Sequence, residues 1–361
     1  MKVLHFSDSY LPRLGGIELH VRDLVARQRA AGHEVWIATR TACGDLADGP
    51  GVLRVGHTGP GRLLDPSADV VHAHVSIVSP FSLAAAHRSA RAGIPTVVTV
   101  HSMWTHVGPL PWLARELWRM REWPVTWSAV SEPAAVAVRE LLDVPVHVVP
   151  NAVDLAEWTP LPDLPPADPP HVVSVMRLTG VKRAVPLVRT LRRAAQEMPL
   201  TATIVGDGPD RRAVEHYLRR HRLTDRVRLT GTLDRAAIRR ELAGASIFVA
   251  PAHRESFGIA ALEARASGVP ILASARSGVA TFVDHGRDGL LAADDRGLTT
   301  QLLRLLGDRQ LREQIAWHNR LVRPAHGWDE ALARNAELYV AAGARVQPPA
   351  SLADGGGVLV A

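Results

Sequence analysis

Cysteine is nearly absent. Cys43 stands alone in 361 residues, which excludes an internal disulfide and a cysteine-rich metal site and fits a reducing compartment. Lysine is almost as scarce. Only Lys2 and Lys182 occur, so 40 of the 42 basic residues are arginine. In a chain that defaults to arginine, a lysine at 182 marks either a need for a compact ammonium or a chance retention. No run of about 18 apolar residues exists, which excludes a spanning helix. The opening Met1-Lys2-Val3-Leu4-His5-Phe6-Ser7-Asp8 is too polar for a signal peptide. The first strand is not followed by Gly-x-Gly-x-x-Gly, which argues against NAD. The net charge is +6, but the arginines are scattered and form no stripe interleaved with aromatics. That charge is compatible with an anionic membrane or anionic substrates, and the pattern argues against nucleic acid.

What is present organises around residues 253–291. Ile247-Phe248-Val249-Ala250 reads as a buried strand. A polar loop, His253-Arg254-Glu255-Ser256-Phe257-Gly258, follows it. Helical spacing then begins at Ile259, with Leu262, Glu263 and Ala266, and stops at Gly268 and Pro270. A helix N-terminus offers unpaired N–H groups and a partial positive charge, and Gly258 lets the backbone approach a phosphate. Glu255 and Glu263 are eight residues apart and fall along one side of the helix. Carboxylates there accept hydrogen bonds from the paired hydroxyls of a ribose or hexose. Phosphate at the N–H groups and hydroxyls at both carboxylates describe a nucleotide sugar. An ordinary helix start with Glu in its first turns fits the spacing equally well.

Other stretches add to this. A strand at 2–7, a helix at 17–31 and a strand at 33–38 make a βαβ unit. Gly15-Gly16 opens its helix, either to bring N–H groups to a phosphate or simply to turn the chain. Strands follow at 52–55, 69–72 and 96–100, with His72, His74 and His101 gathered near strand ends. Three histidines raise the question of a metal, yet no cysteine or spaced carboxylate supports one, and none is expected. Residues 104–127 hold five of the nine tryptophans together with Arg115, Arg119 and Arg121. That mixture suits a membrane interface or a lipid-linked acceptor, or a helix packed beneath the first sheet. The strand at 171–175 leads to Arg177 and Lys182, two cations five residues apart that suit a pyrophosphate and would stabilise a leaving nucleotide diphosphate.

The run from Glu255 to Glu263, continued by Ala264-Arg265-Ala266-Ser267-Gly268-Val269-Pro270, resembles the Glu-x7-Glu signature of glycosyltransferase family 4. The resemblance covers residues 1–342, and further blocks occur in the family's order. Gly15-Gly16 matches the loop that closes over the donor phosphates and acceptor. Val98-Thr99-Val100-His101-Ser102 resembles the strand ending in an active-site histidine, which would give His101 an electrostatic role near the donor sugar and β-phosphate. Ser128 to Glu132 and His147 to Asp154 resemble two more blocks, the latter with Ala152 for the usual Gly. With Glu157-Trp158-Thr159-Pro160 behind it, that variant is similar to the catalytic chains of phosphatidylinositol N-acetylglucosaminyltransferases. Arg177 and Lys182 match a Gly-Arg…Lys-Gly block, but Met176 and Arg183 stand where the family has glycine, so the loop is bulkier. Gly206-Asp207-Gly208-Pro209 and Gly231-Thr232-Leu233 follow, the latter beside the base. Ser277-Gly278-Val279 and Asp288-Gly289-Leu290-Leu291 complete the pattern.

The resemblance implies an α/β protein of the GT-B fold, two Rossmann-like βαβ domains facing a cleft. The first, acceptor-side domain is expected at 1–160, completed by a helix at 328–342. A Pro-rich linker is expected at 161–170, the nucleotide-sugar domain at 171–327, and a disordered tail at 346–361. The implied chemistry is retaining transfer of a hexose or N-acetylhexosamine, a UDP-sugar being favoured, to a hydroxyl acceptor in the cytoplasm. Peripheral membrane contact would run through 104–127, and no nucleic acid is involved. The expected catalytic groups are His101, Arg177, Lys182 and Glu255. The donor would be held by Gly15, Gly16, Arg177, Lys182, Leu233, Glu255, Ser256, Phe257, Gly258, Ile259 and Glu263. No Asp-x-Asp occurs, so no metal or other cofactor is expected, and cations with a helix dipole would stand in for Mg²⁺. A nucleotide-sugar epimerase and a non-catalytic nucleotide-sugar-binding protein remain alternatives. A pyridoxal-dependent phosphorylase would need Lys182 for its cofactor.

Overall fold

The computed structural model describes residues 1–43, 48–56, 60, 63–104, 116, 118–161 and 167–345. The core of the tryptophan–arginine segment, half of the expected linker (162–166) and the tail at 346–361 lie outside the described residues. In chain order the elements are β1 (Lys2–Ser7), α1 (Gly16–Ala30), β2 (Glu34–Thr39), β3 (Val52–Arg54), β4 (Val70–Val75), α2 (Pro80–Arg91), β5 (Thr96–Val100), β6 (Thr126–Ala129), α3 (Glu132–Leu142) and β7 (Val146–Val148). They continue with β8 (His171–Val175), α4 (Ala184–Glu197), β9 (Thr201–Val205), α5 (Arg211–Arg220), β10 (Val227–Gly231), α6 (Arg235–Ala243), β11 (Ile247–Ala250), α7 (Ile259–Ala266) and β12 (Ile271–Ser274). Last come β13 (Gly289–Ala292), α8 (Asp295–Gly307), α9 (Arg309–Leu321) and α10 (Trp328–Ala341). Among the described residues one compact unit holds Met1–Thr99, Arg119–Ser128 and the chain from Leu332, and the other holds Val100–Trp118 and Ala129–Ala331. No helix among the described residues is long and apolar enough to cross a membrane.

The fold is built on two doubly wound parallel sheets. The first sheet has the order β3-β2-β1-β4-β5-β6-β7 and the second β10-β9-β8-β11-β12-β13. In both, the first strand lies inside the sheet and the order reverses beside it. Such a reversal leaves a crevice at the carboxyl ends of the two strands, because the connections leave on opposite faces. The strands are apolar along most of their length, as buried parallel strands must be when helices cover both faces. Phe248, Ile271 and Ala273 face Phe257, Leu262 and Trp158 on one side of the second sheet. Val172, Val249 and Leu272 face Leu187, Leu191 and Leu302 on the other. Fully burying each such Leu or Phe is worth roughly 1.5–3 kcal/mol.

The first sheet carries one polar seam in its interior. His5 and His72 are Cα partners across β1 and β4, and His74 lies two residues further, so all three imidazoles share one face. The third imidazole of the cluster is therefore His5, not His101. The three rings bring nitrogens within 4.8 Å of one another, all buried. Those nitrogens already have protein partners. His5 Nδ1 meets His74 Nε2 at 2.9 Å and His5 Nε2 meets Gln28 Oε1 at 2.7 Å. Gln28 Nε2 donates to Tyr339 Oη at 2.8 Å, His72 Nδ1 meets the same hydroxyl at 3.0 Å, and His72 Nε2 meets Thr99 Oγ1 at 2.7 Å. The chain of bonds docks α10 on the first sheet, because a buried polar group left unpaired would cost about 1–3 kcal/mol.

Burial holds His5 neutral, down to about 4, with the Gln28 bond opposing and the Arg29 charge adding to the shift; burial does the same to His20, also about 4. Both folded values lie below the unfolded value near 6.5, so the unfolded chain binds more protons between the two. Stability is therefore complete above about pH 6.5 and is lost as pH falls towards 4, by roughly 3 kcal/mol for a shift of this size. Urea titrations at pH 7.5, 6 and 4.5 should show a falling midpoint; a flat profile over that range would contradict the reading.

Candidate active site

In the second unit the order reverses between β8 and β11, which are parallel partners with Ile247 beside Val172 and Phe248 beside Val173. The residues read from the sequence as phosphate and sugar ligands lie just past the carboxyl ends of these two strands. Arg177 and Lys182 follow β8, and the loop from His253 to Gly258 follows β11. The two segments meet: Lys182 Nζ donates to Glu255 Oε2 at 2.6 Å. The pair is part-buried, with side-chain exposures of 33 % for Lys182 and 17 % for Glu255. Partial burial strengthens the attraction relative to an exposed pair while leaving both groups reachable. Arg177 is exposed on the same turn.

The Glu255 loop is fixed by its backbone. Gly258 has φ +95°, and a Cβ there would lie 2.5 Å from Val279 Cγ2. Gly278 N donates to Glu255 O at 2.7 Å, and a Cβ on Gly278 would lie 2.2 Å from Ser256 O and 2.8 Å from Phe257 Cα. Neither approach is open to a residue with a side chain. Ser131, which caps α3 by accepting from Ala134 N at 3.3 Å, donates its hydroxyl to Ser256 O. Ser256 Oγ in turn donates to the backbone O of His101 at 2.6 Å. Phe257 is buried between Phe282 and His326, with ring centroids 5.2 and 5.7 Å away. Gly278→Ala should therefore shift the Glu255 loop and destabilise the second unit by about 1–3 kcal/mol, as urea denaturation would read; an unchanged midpoint would refute this.

Gly258 stands at the start of α7 and provides no side-chain cap. The first N–H groups of a helix carry its positive end; here Ala261 N donates to Gly258 O at 3.0 Å, and no side chain caps the N–H groups before it. Glu263 is buried within α7, and Leu233 is half-buried between β10 and α6. Gly15 and Gly16 belong to the other unit, where a Cβ on Gly15 would meet Glu18 Oε2 at 2.4 Å. The space that Gly15 provides is thus shared with an acidic side chain.

The two departures in the Arg177–Lys182 turn have distinct outcomes. Met176 packs on the core beneath the sheet, and its backbone is approached by Gly206, where a Cβ would lie 1.9 Å from Met176 O. The glycine that permits close packing here sits on the neighbouring loop. Arg183 takes the left-handed conformation, φ +64° and ψ +39°, which costs a non-glycine residue roughly 1–2 kcal/mol. Its guanidinium reaches Asp295, with Nη2 at 2.5 Å from both carboxylate oxygens.

Ser131, Gly278 and Asp295 were not among the sequence-derived site residues. Ser131 and Gly278 stood within quoted blocks, but only the close approaches across the fold give them their roles. Asp295 lies 112 residues from Arg183 and no local pattern joins the two.

Comparison with known proteins resolves the family. The model described as "Glycosyltransferase Family 4" matches residues 14–157 and the one described as "Glycosyl transferases group 1" matches residues 169–308. The chain belongs to the family 4 glycosyltransferases. This transferase is 27 % identical to a glycogen synthase of Mycobacterium tuberculosis over 95 % of each chain. It is 25 % identical to a phosphatidylinositol N-acetylglucosaminyltransferase chain of Arabidopsis thaliana, over 94 % of this chain and 81 % of the relative. Among solved structures, Anabaena HepE in complex with UDP and glucose superposes with a TM-score of 0.76 at 19 % identity, covering 94 % of this chain and all of that one. The two sheets are thus those of the GT-B fold, and the enzyme transfers a sugar from a nucleotide sugar.

Proposed function

We propose that the enzyme is a metal-independent, retaining transferase that takes a hexose or N-acetylhexosamine from a UDP-sugar to a hydroxyl of a lipid, glycan or small metabolite. The observation that carries this reading is the Lys182–Glu255 contact at the β8/β11 crevice, beside the uncapped start of α7. A donor would exchange that pair for better partners. Its diphosphate would take Lys182, Arg177 and the N–H groups of Gly258 and Ile259, while its sugar hydroxyls would take Glu255. Glu263 would receive the ribose, Leu233 would border the base, and His101, Ser256 and Phe257 would fix the loop around the sugar. Gly15 and Gly16 would approach the donor from their own loop.

Charge develops on the departing diphosphate, so the cations and the helix dipole stabilise the transition state more than the ground state. The same phosphate then takes the proton of the acceptor hydroxyl, on the face it has just left, which preserves the anomeric configuration. UDP is favoured because UDP complexes stand among the similar folds. The similarity to a phosphatidylinositol N-acetylglucosaminyltransferase keeps N-acetylhexosamines in the donor set. This reading puts the protein in the cytosol, with any membrane contact peripheral.

The test is thermal stabilisation by UDP, GDP, ADP and dTDP with and without Mg²⁺. A ligand at 100 times its Kd adds roughly 2.7 kcal/mol. A response to UDP that ignores Mg²⁺ and a product with the donor's anomeric configuration are expected. A response that requires Mg²⁺, or an inverted product, would overturn the corresponding part of the reading.

A further inference from the structure

Arg183 sits one residue after Lys182, and His253 two residues before Glu255. Both side chains reach the same carboxylate. Arg183 Nη2 lies 2.5 Å from both oxygens of Asp295, and His253 Nε2 lies 3.4 Å from Asp295 Oδ1. A carboxylate only accepts, so the proton of a neutral His253 sits on Nε2, and Nδ1 accepts from Ser274 Oγ at 2.8 Å. Burial, then the Arg183 charge, lower the titration of His253, with the Asp295 charge opposing, in keeping with the neutral ring. Asp295 is the first residue of α8, but the cap of that helix is Asp294, which accepts from Gly297 N at 2.8 Å. The Asp295 side chain is therefore not needed to start the helix.

We infer that Asp295 is a positioning residue, which holds Arg183 in its left-handed conformation and so keeps the turn bearing Lys182 against the loop bearing Glu255. The functional consequence rests on the donor site proposed above. Arg183 holds the left-handed conformation that glycine adopts freely. Its ion pair with Asp295 offsets that strain. With the carboxylate removed, the turn relaxes and carries Lys182 away from Glu255. Glycine at 183 keeps the left-handed turn unaided, so the Arg183→Gly variant no longer needs Asp295.

The scarcity of lysine makes this measurable. Lysine labelled with ¹³C at Cε gives two NMR signals, from Lys182 and from Lys2, and Lys2 in the first sheet serves as an internal control. The Asp295→Ala variant should move the Lys182 signal by at least half of its difference from free lysine and leave Lys2 unmoved. The Arg183→Gly/Asp295→Ala double variant should return the Lys182 signal to the wild-type position, as should Arg183→Gly alone. Asp295→Asn, which retains one acceptor oxygen, should fall between. An unmoved Lys182 signal in Asp295→Ala, or a double variant no closer to wild type than the single one, would overturn the inference. In parallel, UDP affinity should drop about tenfold in Asp295→Ala and recover in the double variant. A wild-type protein that does not bind UDP would sink the donor reading, while the lysine signals still decide the role of Asp295.

Discussion

Lys182→Ala is expected to lower sugar transfer by roughly a thousandfold, about 4 kcal/mol in the barrier, with most of the loss in kcat. The side chain lies 2.6 Å from Glu255 and just beyond the carboxyl end of β8, where a sheet of this order opens its crevice. Charge grows on the diphosphate as the sugar leaves, so a cation held there binds the transition state more tightly than the bound donor. No other lysine can take its place, since the remaining one, Lys2, belongs to the first sheet. Its removal also leaves Glu255 part-buried without its cation, which adds the cost of an unpaired charge. Lys182→Arg keeps the charge but not the compact ammonium, and should recover part of the activity. Steady-state kinetics at saturating donor check this. A variant within tenfold of wild-type kcat would remove Lys182 from the chemistry.

Asp288→Ala is expected to destabilise the second unit by about 3–5 kcal/mol. The carboxylate is 4 % exposed and pairs with Arg265, itself 8 % exposed, at 2.9 Å. It also accepts from His318 Nε2 at 3.1 Å and from Asp284 N at 2.8 Å. Asn319 Nδ2 donates to the backbone O of both Val269 and Asp288 at 3.0 Å. One acid thus joins α7, the entry to β13 and α9. Its loss would strand the Arg265 guanidinium inside the fold, and a buried charge without a partner costs more than the pair itself contributes. Asp288→Asn keeps an acceptor for Arg265 and should lose less. Urea denaturation followed by tryptophan fluorescence checks the ranking. Because α7 begins at the Glu255 loop, the alanine variant should also lose donor binding before it unfolds globally. A loss below about 1 kcal/mol would show that water replaces the carboxylate.

Much of this protein is legible in its sequence because the signals are local. Apolar runs of four to six residues mark the buried strands of parallel sheets. The helix start after Gly258 follows from residues within two turns of one another, and the phosphate-binding character of such a start follows from backbone geometry alone. The Glu-x7-Glu run and the blocks around it carry the family, and the contact of Lys182 with Glu255 brings two separately read motifs together.

What the sequence left open depended on residues far apart in the chain. The histidines at 72 and 74 were visible as a group, but the third member, His5, joins them through the β1–β4 pairing. The buried network they form with Gln28 and Tyr339 docks a helix on the sheet. Met176 and Arg183 raised the prospect of an obstructed phosphate loop. Gly206 makes room beside the first, and Asp295 engages the second. Neither compensation has a local pattern, because the partner lies on another strand-end loop or helix start. The sequence by itself determined the strand and helix order, the family and the identity of the charged groups, since these rest on periodicity and motif spacing. Only the tertiary structure decided which charges pair, which glycines permit a close approach and which side chains leave the crevice, since those depend on distances set by sheet topology and packing.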